Sequence, residues 1–199
     1  MKTIAEATEK LCWTAIRAFL KTSSEAVLRE FAAQHAEEEF YCLCVYFDGN
    51  YGDFWLYLND HEQLRTTAAE VKNSYPSLYK RKSVKQVERE LKWDCGDFRY
   101  DLSEAEGPFP GFWRPVALTI IGLNLDLAKD AGDEPTREFQ EAWAETACRV
   151  ALDLEKSKVL KRLKKTRDFR VICVDHDEPI KVSLTRLERV RRSYKPLPK

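Results

Sequence analysis

The stretch "EEEFYCLCVYFDGNYGDFWLYLND", residues 37–60, decides the fold. From Phe40 to Phe47 every residue is apolar, aromatic or cysteine, so alternation sets Phe40, Cys42, Cys44 and Tyr46 on one face and Tyr41, Leu43, Val45 and Phe47 on the other. A strand that is apolar on both faces is a central strand, covered on both sides. After "DGNYGD" the segment "FWLYL" repeats the pattern, with Phe54, Leu56 and Leu58 opposite Trp55 and Tyr57. Asp48-Gly49 and Gly52 offer the positive φ angles that a hairpin turn demands. The spacing therefore predicts an antiparallel hairpin in the middle of a sheet. Cys42 and Cys44 share a face two residues apart, which suits packing, and no C-x-x-C pair with zinc-ligand spacing occurs anywhere.

Helices flank this hairpin. Ile4, Ala7, Leu11, Ala15 and Ala18 recur at spacings of three and four, and "TSSE" from Thr22 to Glu25 reads as a capping box that opens a second helix with Leu28, Phe31 and Ala32 inward. "HAEEE" then closes a helical hairpin. "NDHEQLRTTAAEVKNSY" predicts a helix capped by Asn59 or Asp60 and stopped before Pro76, and "SVKQVERELKW" a further one. Residues 94–113 form the longest irregular segment, with three glycines, two prolines and five aromatics. Trp113 to Leu127 is an apolar helix and "DAGDEP" a linker. Phe139, Trp143, Ala147, Val150 and Leu154 mark a long amphipathic helix running into "KSKVLKRLKKTR". A strand, "FRVICVDHDE", and a short helix, "SLTRLERVRR", finish the chain.

With 199 residues and a prior of roughly 100–200 residues per domain, a single domain is expected. The composition, 44% hydrophobic and 33% charged, is that of a globular chain. No run is long and apolar enough for a membrane span, and Glu6 and Glu9 interrupt what a secretory leader would need, so a cytoplasmic location is expected, with reduced cysteines. The charge is unevenly placed. Residues 156–199 hold 15 Lys+Arg against 5 Asp+Glu, while residues 1–155 hold 18 against 28. Such asymmetry marks either a polyanion-binding or acidic-partner surface or, more simply, solvated helices.

The chain also resembles a known bacterial family. An acidic pair before strand residues in "EEEFYCLCVYFDGNYG", a helix opening at "NDHEQL", and "LKWDCGDFRY", which carries Trp93 and Tyr100 of an Arg-Trp-x-Pro-x-x-Trp-x-Tyr signature, are similar to the domain-of-unknown-function family 4303. Cys95 replaces the signature proline and Phe98 its second tryptophan. The resemblance covers most of the chain to about residue 178 and implies an α+β fold with no established reaction. In size and style it suggests small intracellular proteins that neutralise bacterial toxins.

Four constellations bear on chemistry. Asp175, His176, Asp177 and Glu178 follow the late strand and could hold a divalent metal, although alternation sends His176 away from the two aspartates, and a strand leaving the core through a polar turn has the same composition. Asp94, Asp97 and Asp101 lie beside Trp93 and Tyr100, where aspartate also serves as a turn former. Nucleophilic catalysis lacks a G-x-S-x-G elbow, only His35, His61 and His176 are on hand as bases, and no phosphate loop occurs. A nucleic-acid surface would rest on Lys156 to Arg170 and Arg186 to Arg192, opposed by the acidic remainder of the chain.

The sequence thus predicts one α+β domain spanning residues 1–199, a small mainly antiparallel sheet packed with several helices, ending in a basic helical segment at 156–199. The expected function is non-enzymatic binding of another protein, in the manner of an immunity factor, with no cofactor, no metal and no membrane partner. Its contact surface would comprise Asp48, Asp53, Trp93, Asp94, Asp97, Tyr100 and Trp113, matched to a basic partner. The alternatives are a metal-dependent enzyme using Asp175, His176 and Asp177, and a nucleic-acid binder using the basic C-terminal segment.

Overall fold

The computed structural model describes residues 12–103, 111, 113–131 and 133–197. Within them lie seven α-helices and one four-stranded sheet, in an α+β arrangement. The chain runs through α1 (Trp13–Gln34), β1 (Glu39–Phe47), β2 (Phe54–Asp60), α2 (His61–Ser74), α3 (Pro76–Tyr79) and α4 (Val84–Leu91). It continues through β3 (Tyr100–Asp101), α5 (Arg114–Ala131), α6 (Asp133–Glu155), β4 (Lys164–Asp175) and α7 (Ile180–Arg192), with 3-10 turns at Cys95–Asp97 and Lys158–Lys161.

The sheet order is β3-β2-β1-β4, so β1 is central, as its two-sided hydrophobicity predicts. β1 pairs antiparallel with β2, and β2 with β3, but β1 pairs parallel with β4. The sheet is therefore mixed rather than mainly antiparallel. A parallel neighbour needs a crossover connection rather than a tight turn, and the long connection from β1 to β4, which includes β2, β3 and five helices, returns through α6.

One irregularity corrects the face assignment. Phe40 pairs with Asp60 and Lys165, whereas Cys42 pairs with Asn59 and Arg170, so Tyr41 sits in a β-bulge. Alternation breaks there. Phe40 joins Leu43, Val45 and Phe47 in the larger core, while Tyr41 joins Cys42 and Cys44 on the other face. The larger core is filled from α1 by Leu20, Leu28 and Phe31, from α5 by Ile120, and from α6 by Phe139, Trp143 and Ala147. The smaller cluster is closed by Leu64 of α2, by Leu91, Trp93, Cys95 and Phe98, and by Ile180 and Leu184 of α7.

The hairpin turn uses one glycine as predicted and one otherwise. Gly52 has φ 72°, donates to the Asp48 carbonyl at 3.0 Å, and sits so tightly under α5 that a Cβ would lie 2.6 Å from Ile120 Cβ. Gly49 does not adopt positive φ. The Asp48 side chain shapes that part of the turn instead, accepting from the backbone N–H of Asn50 at 2.7 Å and of Tyr51 at 2.9 Å.

Three helical expectations also change. "TSSE" does not start a helix: α1 runs through it, Ser24 is buried, and Glu25 pairs with Lys21 one turn back at 2.9 Å. The helical hairpin is thus a single helix, with Ala15 exposed and Arg17 turned inward, and the part of the prediction at Ile4, Ala7 and Leu11 lies outside the described residues. The linker at 130–135 shrinks, since α5 extends to Ala131 and α6 begins at Asp133. The basic segment after residue 156 is not mainly helical: α6 ends at Glu155, and β4 takes up Lys164 to Asp175, five residues earlier than the Phe169 start that hydrophobicity indicated. By contrast, Asp60 caps α2 by accepting from Gln63 N at 2.8 Å, and Ser83 and Gln86 form a reciprocal capping box on α4.

Candidate nucleic-acid interface

Between Lys156 and Arg170 the sequence carries eight cations, Lys156, Lys158, Lys161, Arg162, Lys164, Lys165, Arg167 and Arg170, against one acid, Asp168. The fold turns all eight outward. Ser157 caps the short 3-10 turn through Val159 N at 3.2 Å, and the turn buries Val159, Leu160 and Leu163, which forces the intervening Lys and Arg side chains into solvent. β4 then leaves the turn with its first half exposed and rejoins the core only at Val171. All eight are exposed, and among the described residues none enters an ion pair.

The register slip at Tyr41 adds to this surface. Only Tyr41 separates Phe40 from Cys42 on β1, while residues 166–169 separate their partners on β4, so β4 bows outward between Lys165 and Arg170. The single acid there is already engaged: Asp168 accepts from Lys92 Nζ at 2.5 Å and from Thr166 Oγ1 at 2.7 Å, and lies 3.4 Å from His61 Nε2. The Lys92 hydrogen bond, followed by that from Thr166, pulls the Asp168 carboxyl well below its usual range. Two aromatics interleave with the cations, since Arg170 lies 5.7 Å from the centre of the Trp93 ring and Lys165 5.3 Å from that of Phe169.

α7 contributes less than its composition suggests. Arg186 is held by Glu178 and lies 3.7 Å from Asp175, and Arg191 is held by Glu155 and by Glu188 at 3.3 Å. Arg189 and Arg192 remain exposed. Which arginines are internally neutralised depends on pairs such as Arg191 with Glu155 that sequence spacing cannot reveal.

The other predicted residues fall apart in space. Asp48 is buried and consumed by the turn, with its carbonyl accepting from Trp143 Nε1 at 3.0 Å. Asp53 is half-buried, and its carboxyl is pushed up by burial and by Asp48. Trp113 is buried against Trp55, with ring centroids 5.5 Å apart. Tyr100 packs on Phe31 and Phe40 on the larger-core face and donates to Glu38 at 2.5 Å, whereas Trp93 packs on Tyr41 on the opposite face. Asp94 and Asp97 are exposed, and Asp97 is raised by partial burial and then by the charges of Asp94 and Glu70. The seven residues do not make one surface.

Nor does His176 join the three acids of the "DHDE" turn, which line one hollow with Arg186. His176 meets Tyr46 Oη at 2.7 Å on one side, while Asp177 accepts from Asn50 Nδ2 at 2.6 Å on the other. Asp175 and Glu178 face Arg186. Among the described residues no group of three His, Cys, Asp or Glu side chains is placed to hold a metal ion, and no helix is long and apolar enough to cross a membrane.

No family model, no curated protein and no solved structure matches the chain.

Proposed function

We propose that the protein binds nucleic acid, with little dependence on sequence, through the surface formed by the 3-10 turn and the outer half of β4. The observation that carries this reading is the set of eight exposed cations from Lys156 to Arg170 that enter no ion pair among the described residues. Uncompensated cations concentrated on one continuous segment release counterions when they meet a phosphate backbone, and this supplies affinity without base contacts. The cytoplasm is the compartment that suits both such a partner and six free thiols.

Fluorescence anisotropy with a labelled mixed-sequence single strand tests the reading. The expected dependence of log K on log salt is steep, with a limiting slope of about −6 if all eight cations engage phosphates. Replacing Lys164, Lys165 and Arg167 together by Glu leaves the circular dichroism spectrum unchanged and abolishes binding. A flat salt dependence, or full binding by the triple variant, overturns the reading.

A second reading keeps the expectation of a basic protein partner, and with it an immunity-like role, because Asp94 and Asp97 stand exposed with Glu70 near enough to perturb Asp97. Stoichiometric capture of one basic protein, lost in Asp94→Lys/Asp97→Lys and kept in the triple Glu variant, would select it over the first.

A further inference from the structure

A groove of about 820 Å³ lies between α1, the turn after α6 and the tail from Tyr194 to Leu197. We propose that it binds a phosphomonoester, the terminal phosphate of a nucleic-acid strand or a free nucleotide.

The argument starts from where the groove's charges come from. Lys156, Lys158 and Arg162 belong to the basic run, but Arg29 reaches the same hollow from α1, more than a hundred residues away in sequence. A merely solvated basic segment accounts for the first three and not for the fourth. Bringing like charges from separate elements into one concavity costs Coulomb energy, which an anion would remove.

The acids that line the groove do not neutralise these cations, because both are engaged elsewhere. Asp153 is held by two hydrogen bonds from Arg17, at 2.7 and 2.8 Å, and by Tyr194 Oη at 2.6 Å. Glu25 accepts from Lys21 at 2.9 Å and from Ser157 Oγ at 2.6 Å. Arg29, Lys158 and Arg162 therefore face the groove with no side-chain partner among the described residues, and Lys156 is poised over the Tyr194 ring at 4.0 Å from its centroid.

The remaining wall suits the rest of such a ligand. Tyr194, Pro196 and Leu197 line it, with Ala18 and Val159. The tail that carries them is fixed from beneath, since Arg17 also donates to the Lys195 carbonyl at 2.9 Å. The volume falls within the roughly 300–1,000 Å³ typical of small-ligand sites. Cations and apolar surface within one groove match a phosphate attached to a sugar and base.

The inference rests on the nucleic-acid reading only for one of its two phosphate sources, so the test separates them. Thermal melting of the full chain is followed with adenosine 5′-monophosphate and with adenosine, and anisotropy with two oligonucleotides of one sequence, 5′-phosphorylated and 5′-hydroxyl. The monophosphate is expected to raise the melting temperature and adenosine to leave it unchanged. Arg29→Gln with Lys158→Gln weakens monophosphate binding about tenfold or more, while the Lys164, Lys165 and Arg167 triple variant retains it. A 5′-phosphate preference that disappears in the Arg29→Gln/Lys158→Gln variant identifies a strand end; monophosphate binding without such a preference identifies a free nucleotide. If neither the monophosphate nor the 5′-phosphate has an effect, the groove proposal fails even where oligonucleotides bind. Monophosphate binding by a chain that ignores oligonucleotides keeps the groove and removes the nucleic-acid reading.

Discussion

The two faces of the sheet are built on different chemistry. On the α1/α6 face the core is mainly hydrocarbon, with Phe47, Phe54 and Trp143 among its fully buried side chains, and its few polar groups are scattered through it, as in the thiols of Cys148 and Cys173, the hydroxyl of Ser24 and the indole of Trp143, which donates to the Asp48 carbonyl. On the α2/α4 face the cluster is small and is organised around a hydroxyl and three thiols, those of Tyr41, Cys42, Cys44 and Cys95. The first face is held by volume, the second by the pairing of polar groups. A substitution should therefore cost in proportion to the atoms removed on one side and to the partners orphaned on the other.

The largest effect is expected at Trp143. It is fully buried, packs edge-on to Phe47 with centroids 6.2 Å apart and against Phe54 at 6.4 Å, and closes the hairpin turn through its indole N–H. Trp143→Ala should lower unfolding stability by about 3–5 kcal/mol in urea titration. Trp143→Phe, which keeps most of the apolar volume but removes one of the two donors to the Asp48 carbonyl, the other being Gly52 N–H, should cost about 0.5–1.5 kcal/mol. Equal losses in the two variants would mean that the hydrogen bond, and not the packing, governs this face.

On the smaller face, Tyr41→Phe removes one oxygen and no apolar volume. Its hydroxyl donates to the Lys92 carbonyl at 2.9 Å and accepts from Asn59 Nδ2 at 3.1 Å, both in partly or fully buried surroundings, and burial accordingly pushes the phenol well above its usual range. The expected loss is about 1–3 kcal/mol, from two partners left unsatisfied. A loss below about 0.5 kcal/mol, as for an ordinary surface change, would erase the distinction between the faces.

The same contrast explains what the sequence could and could not convey. The larger face follows from periodicity: Trp143, Ala147, Val150 and Leu154 recur at helical spacing, and Leu43, Val45, Phe47, Phe54, Leu56 and Leu58 alternate, and all are buried there. The bulge at Tyr41 was illegible because an uninterrupted apolar run carries no mark of a register slip; only pairing with β2 and β4 exposes it. The outer half of β4 was missed because Lys and Arg are unremarkable on a solvated helix, and only the parallel partner β1 draws them into a strand. Thr22-Ser-Ser-Glu25 imitates a cap because local spacing cannot show that Ser24 is buried within a longer helix. For the candidate site, the run of cations was visible, but the part played by Arg29 and the neutralisation of Arg186 and Arg191 were not, since each depends on a contact fixed by tertiary folding.

The smallest expected effect concerns the rim of the polar face, where Lys92 meets Asp168 at 2.5 Å. Because the Asp168 carboxyl is depressed in the folded chain, chiefly by Lys92, its contribution is present above the unfolded carboxylate value near 4 and is lost as pH falls through the folded value. Lys92→Met should remove that contribution, costing no more than about 1 kcal/mol at pH 7 because the pair is partly solvated, and the difference from the parent chain should shrink toward zero in acid. Urea titrations of both chains between pH 7 and pH 2 measure it. A difference that persists unchanged at pH 2 would assign the effect to the lysine's hydrocarbon stem, which lies along the Tyr41 and Trp93 rings with Nζ 5.5 and 5.0 Å from their centroids. In that case the rim of this face would be governed by volume, as the opposite face is, and the contrast between them would hold only at Tyr41 and the buried thiols.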